Sequence, residues 1–135
     1  MNSQIAESRF RVRYAETDQM GVVYYSNYLV WMEIGRGDLC RKCGFAYREL
    51  EDKEGISIAV ADVQCRYRAP ARYDDAILVH TRVKRVRRRV LTFTYEITNE
   101  TTGQRLAEGY TTHVAVGRNG KPCSLPDRYY QLLSG

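Results

Sequence analysis

The sequence predicts an α+β fold, one long helix packed on an antiparallel sheet. Hydrophobic residues follow a helical pattern once, between Tyr24 and Lys42. They alternate in strand fashion before that segment and in four successive runs after it, with short turn signals between the runs. The chain has 135 residues, 44 % of them hydrophobic and 27 % charged. That is enough for one domain, residues 1–135, and too apolar for disorder. No apolar run reaches the roughly 20 residues of a spanning helix. Met1 to Arg13 carries no apolar signal core, so export by that route is not expected.

The first strand is read from Phe10, Val12 and Tyr14 on one face, with Arg9, Arg11 and Arg13 on the other. A polar loop, Ala15 to Gly21, leads to the helix, for which Ser26 and Asn27 are suitable N-cap residues. Tyr28, Leu29, Trp31, Met32, Ile34, Leu39 and Cys40 make the helix apolar on several sides, as for a helix that other structure wraps around. Gly35 and Gly37 cost about 1 kcal/mol each against Ala, which close approach of another backbone or a ligand would offset. Gly44 supplies the stop. Ile56, Ile58 and Val60 alternate, then the phase slips to Val63, Cys65 and Tyr67, predicting a long strand with a bulge near Ala61–Asp62. Ile77 to Val83, Leu91 to Ile97 and Leu106 to Val116 complete the set, with turns at Glu100 to Gly103 and at Asn119–Gly120.

The four cysteines are Cys40, Cys43, Cys65 and Cys123. Cys40 and Cys43 form a C-x-x-C, but no second close pair and no histidine pair completes a zinc set. They read as reduced thiols of a cytoplasmic protein, with no metal and no cofactor expected. Lys+Arg outnumber Asp+Glu by 21 to 16, and eleven residues are tyrosine, which points to an anionic partner. The excess is concentrated in Lys84 to Arg89. That run has no interleaved aromatic residues and belongs to no nucleic-acid motif, so nucleic acid is not the expected partner.

Chemistry concentrates between Tyr14 and Tyr28. Asp18 lies in the loop that delivers the chain to the helix start, where the first N–H groups lack intrahelical partners and carry the positive end of the helix dipole. A carboxylate beside such donors is a minimal acyl-transfer site, needing neither a Ser–His pair nor a metal.

These residues resemble the 4-hydroxybenzoyl-CoA thioesterase-like family of hotdog-fold acyl-CoA thioesterases. Its pattern Y-x-x-T-D-x-x-G-V-V-x-x-x-N-Y-x-x-W-x-E is met by Tyr14, Thr17, Asp18, Gly21, Val22, Val23, Asn27, Tyr28, Trp31 and Glu33. Arg66 to Asp75 and Val114 to Pro122 are similar to later family segments. The resemblance implies a five-stranded sheet wrapped around a central helix, and homodimers joined edge to edge or homotetramers. It also implies hydrolysis of an acyl-CoA thioester at a subunit interface. Asp18 would be the catalytic base or nucleophile, and the N–H near Tyr25 would polarise the carbonyl. Tyr24 and Tyr25 would line the acyl pocket or pack at the subunit interface, Asn27 would order the loop, and Arg87, Arg88 and Arg89 would meet the coenzyme A phosphates or form a solvated turn. Some relatives carry a histidine shortly after the motif glycine; here Val22, Val23, Tyr24 and Tyr25 follow Gly21, which favours a single-carboxylate site. The alternatives are a non-catalytic module binding acyl-CoA or acyl carrier protein, and an acyl-thioester hydratase or dehydratase.

Overall fold

A computed structural model describes residues 4–135. Strand β1 (Ile5–Arg11) leads through a 3-10 turn (Tyr14–Glu16) to α1 (Asn27–Cys43) and α2 (Tyr47–Glu54). Strands β2 (Ser57–Tyr67), β3 (Ala76–Val86), β4 (Val90–Asn99) and β5 (Arg105–Val116) follow, and α3 (Asp127–Ser134) ends the chain. All neighbours in the sheet are antiparallel, in the order β1-β3-β4-β5-β2. The fold is the hotdog. The β2 register against β5 shifts between Val60 and Asp62, at the phase slip of the sequence.

Alternation along β3 and β4 sends Ile77, Val79, Leu91, Phe93, Tyr95 and Ile97 to the buried face under α1. From α1 come Tyr28, Trp31, Met32, Gly35 and Leu39, one stripe at helical spacing. The helix is therefore not buried on several sides, since Leu29 and Val30 face outward. They share that exposure with Val60, Val63 and Tyr67 of the edge strand β2. Gly44 closes α1 in the left-handed conformation, φ 118°.

Three expectations are corrected. Strand β1 ends at Arg11, so Tyr14 lies in the 3-10 turn with its ring exposed, not on a strand face. Helix α1 begins at Asn27, and neither Ser26 nor Asn27 caps it with its side chain. Asn27 Nδ2 instead donates to the Glu16 carbonyl at 2.9 Å. Two short helices join the predicted one. Helix α2 contributes Leu50 and α3 contributes Tyr129 and Leu133 to the core, with Phe45 and Tyr129 edge to face at 5.0 Å.

Gly35 is closely approached, though by side chains of β3 and not by the backbone or ligand expected, and Gly37 has only the Arg41 side chain near it. A Cβ at Gly35 would lie 2.2 Å from Thr81 Oγ1 and 3.0 Å from Val79 Cγ1. In Gly35→Ala, overpacking of about 2 kcal/mol outweighs a gain of about 1 kcal/mol in helix propensity. The variant should show a lower urea midpoint at unchanged m, and an unchanged midpoint would mean that Thr81 turns aside at no cost.

Candidate active site

The loop between β1 and α1 folds as a small hairpin that carries Asp18 at its turn. Thr17 bridges Val23, Asp18 N–H donates to the Val22 carbonyl at 2.8 Å, and Gly21 N–H donates to the Asp18 carbonyl at 2.9 Å. Gly21 sits at φ 80°, a conformation that side chains with a Cβ avoid. One carboxylate oxygen of Asp18 accepts from Met20 N–H at 2.9 Å and Val22 N–H at 3.4 Å. These bonds fix the side chain through Oδ1; Oδ2 has no protein partner among the described residues and is free for chemistry.

The hairpin is tied to the helix start by Glu16. Its carbonyl accepts from Tyr24 N–H at 2.9 Å as well as from Asn27 Nδ2. Among the described residues, the next two amides, of Tyr25 and Ser26, donate to no protein acceptor. These are orphan donors at the positive end of α1.

Asp18, Tyr24 and Tyr25 line one open cleft of about 450 Å³, together with Met20, Tyr28, Tyr67 and the segment Arg68 to Pro70. The walls are aromatic. Tyr24 and Tyr25 pack at 4.7 Å between ring centroids, Tyr28 and Tyr67 meet edge to face at 5.2 Å, and Tyr67 Oη donates to the Tyr25 carbonyl at 3.0 Å. The neighbouring Tyr25 first, then loss of solvent, and last the Asp18 charge push the Tyr24 phenol above its usual range, so it stays neutral. Asn27 lies behind the cleft on the Glu16 carbonyl.

Arg87, Arg88 and Arg89 lie elsewhere, in the hairpin between β3 and β4. Asp18 is at the end of the sheet where β3 begins, and the length of β3 separates the two, roughly 33 Å. Arg88 is paired with Asp127 and stacks on Tyr130 at 4.3 Å, whereas Arg87 and Arg89 form no ion pair among the described residues. One protomer thus brings together Asp18, Tyr24, Tyr25 and Asn27, but not the arginines. Glu33, a motif residue, is exposed on α1 and forms no ion pair among the described residues. Neither histidine is in the cleft: His80 faces Glu7 at 3.7 Å on the outer sheet face, and His113 is buried beneath α1.

Sequence reading passed over Glu16, which it treated only as part of a polar loop. Its side chain is 7 % exposed, and it accepts from Arg13 N–H at 2.8 Å, Arg13 Nη2 at 2.8 Å and Trp31 Nε1 at 2.9 Å. Burial pushes this carboxyl up, but the hydrogen bonds from Arg13 and then Trp31 outweigh it and hold the group below its usual range. A tryptophan fifteen residues away, inside the helix, gave no local signal that this loop acid has a partner.

A model of the thioesterase-like superfamily matches residues 12–133. The chain belongs to that superfamily. Among thioesterase relatives, the acyl-CoA thioester hydrolase YbgC of Escherichia coli is 33 % identical over 99 residues, 73 % of each chain. The structure of a DHNA-CoA thioesterase from Staphylococcus aureus is 36 % identical, with a TM-score of 0.87, covering 94 % of this chain and 84 % of that one. A 4-hydroxybenzoyl-CoA thioesterase in complex with 4-hydroxybenzoyl-CoA, 21 % identical with a TM-score of 0.87 over 96 % of this chain and 99 % of that one, shares the fold.

Proposed function

We propose that this protein hydrolyses the thioester of an acyl-CoA to a free acid and coenzyme A, with Asp18 as base or nucleophile and the Tyr25 N–H as oxyanion donor. The observation that carries the reading is their meeting in one cleft. Asp18, whose Oδ2 has no partner among the described residues, and Tyr25, whose amide has none either, line the same aromatic-walled space. As the thioester carbon becomes tetrahedral, its oxygen gains charge, and a fixed N–H dipole stabilises that charge without reorganising. Asp18 either takes a proton from a water that attacks the carbon, or attacks it itself to give a mixed anhydride that water then hydrolyses; in both routes the C–S bond breaks and the departing thiolate takes up a proton. Tyr24 lines the acyl end and Asn27 holds the loop. The absence of both histidines from the cleft favours hydrolysis over a hydratase, which would use a histidine with a carboxylate.

The working unit is at least two copies, each contributing residues 1–135 as one hotdog domain. Strand β2 is an 11-residue edge whose Val60, Val63 and Tyr67 are exposed beside Leu29 and Val30 of α1. Such an edge calls for a partner. Pairing two β2 strands antiparallel about a two-fold axis puts the β3–β4 hairpin of one copy at the Asp18 end of the other. There Arg87, Arg88 and Arg89 reach phosphates of a thioester bound in the neighbouring cleft. Coenzyme A is preferred on this ground to acyl carrier protein as the thiol carrier. The setting is cytoplasmic, in keeping with four free cysteines and no described helix long and apolar enough to cross a membrane.

Thiol release read with a thiol-reactive dye, across straight-chain and aromatic acyl-CoA thioesters, tests the reading. Catalytic release is expected from at least one acyl class. Tight binding with no release over hours would identify a non-catalytic acyl-CoA module instead.

A further inference from the structure

We infer that Glu16 is a positioning residue, whose carboxylate latches the Asp18 hairpin onto α1 through the indole N–H of Trp31. The inference rests on the Asp18 and Tyr25 reading of the cleft. Both ends of Glu16 reach the helix. Its carboxylate takes Trp31 Nε1 at 2.9 Å, on the second turn of α1, while its carbonyl takes Asn27 Nδ2 on the first turn and the Tyr24 N–H just ahead of the helix, both at 2.9 Å. Arg13 closes the set from the solvent side with its own N–H and its guanidinium.

The latch stands between the two reacting groups. Asp18 is two residues further along the hairpin, and the Tyr25 amide is one residue past the amide that the Glu16 carbonyl consumes. Swinging Glu16 away from Trp31 shifts the hairpin relative to the helix start, so Oδ2 of Asp18 and the Tyr25 N–H lose their mutual register. Misplacement by about 1 Å is worth about 100-fold in rate. The Asp18–Val22 turn is closed by bonds internal to it, and the Glu16 carbonyl and the Val23 N–H hold only the backbone beside it; the Glu16 carboxylate alone reaches the second turn of α1. Trp31 is fully buried, edge to face with Phe10 at 5.4 Å and against Tyr28 at 4.9 Å, which fixes the orientation of its N–H.

Trp31 is also the single tryptophan of the chain, so its indole ¹H–¹⁵N resonance reports this one hydrogen bond. Glu16→Gln should move that resonance upfield and lower kcat about 30-fold while KM changes less than threefold. Trp31→Phe removes the bond altogether, where the amide oxygen of Glu16→Gln still accepts the indole N–H but without the charge, and should lower kcat at least as much. The double variant should lose no more than Trp31→Phe alone. All three are assayed well below their melting transitions, so that a loss of stability alone leaves kcat untouched. A wild-type kcat in Glu16→Gln with the indole resonance shifted would overturn the latch, as would multiplicative losses in the double variant. Should Glu16→Gln not fold, Trp31→Phe alone decides, a wild-type kcat counting against the proposal. Asp18→Asn, run alongside, separates the two readings. Full activity there removes the Asp18 site and the latch with it. Loss of activity there beside a wild-type kcat in Glu16→Gln removes the latch only.

Discussion

Asp18→Asn is expected to fold as the wild type does and to lose about 1,000-fold in kcat, within the usual range for removing a general base or nucleophile. The fold survives because of what holds the side chain. Oδ1 accepts the Met20 and Val22 amides, and the carbonyl oxygen of an asparagine accepts the same two donors. The turn therefore keeps its hydrogen bonds and gives up only their charge assistance. What disappears is the anionic Oδ2, replaced by an NH₂ that can neither attack a carbonyl nor take a proton from water. KM should change little, because the rest of the cleft, its tyrosines, Met20, the valines and Arg68 to Pro70, is left as it is by the substitution. Asp18→Ala is the informative contrast. It leaves the Met20 amide without its acceptor, so stability and activity should fall together. Thermal melts beside single-turnover thiol release separate the two variants. Wild-type turnover by a folded Asp18→Asn protein would place the chemistry on another group.

The parts of this site that were legible in the sequence are those whose physics is local. Asp18, Gly21 and the helix start lie within ten residues, and a turn that needs positive φ leaves a glycine in the sequence. The bulge in β2 was legible because a one-residue insertion flips the alternation of every later side chain. Helix α2 was not, because its apolar side is only Tyr47 and Leu50, too short a pattern over eight residues to stand out in the sequence. The exposed Leu29 misled, since an apolar residue on a second helix face reads as core when it faces solvent in the protomer. The Glu16–Trp31 bond and the remoteness of Arg87 to Arg89 from Asp18 are both products of topology. One joins residues fifteen apart across a loop and a helix, and the other follows from which end of β3 each segment adjoins.

His113 yields the second large effect, on stability. It lies on the buried face of β5, fully enclosed, with Nε2 2.8 Å from Thr111 Oγ1 and Nδ1 3.4 Å from the Ile58 carbonyl. Burial first, and the nearby Arg36 charge second, pull its pKa from 6.5 down to about 4, against the Ile58 carbonyl, which favours the protonated ring. The unfolded chain thus binds this proton more readily than the folded one. The imidazole contributes its full stability above pH 6.5, and the contribution is lost as pH falls from 6.5 towards 4. The loss amounts to about 3 kcal/mol, a substantial part of the stability of a chain this size. Carboxyl groups held below their usual range, Glu16 and Asp38 among them, also withdraw stability in acid. Theirs goes only as the pH passes below the ordinary carboxyl range, so the interval from pH 5 to 6.5 isolates the histidine. Urea unfolding at half-unit steps across that interval should show stability rising with pH. In His113→Gln, where the amide can still meet Thr111 but does not titrate, the dependence should flatten even if the overall stability is lower. A slope that persists in that variant would assign the acid sensitivity to other groups.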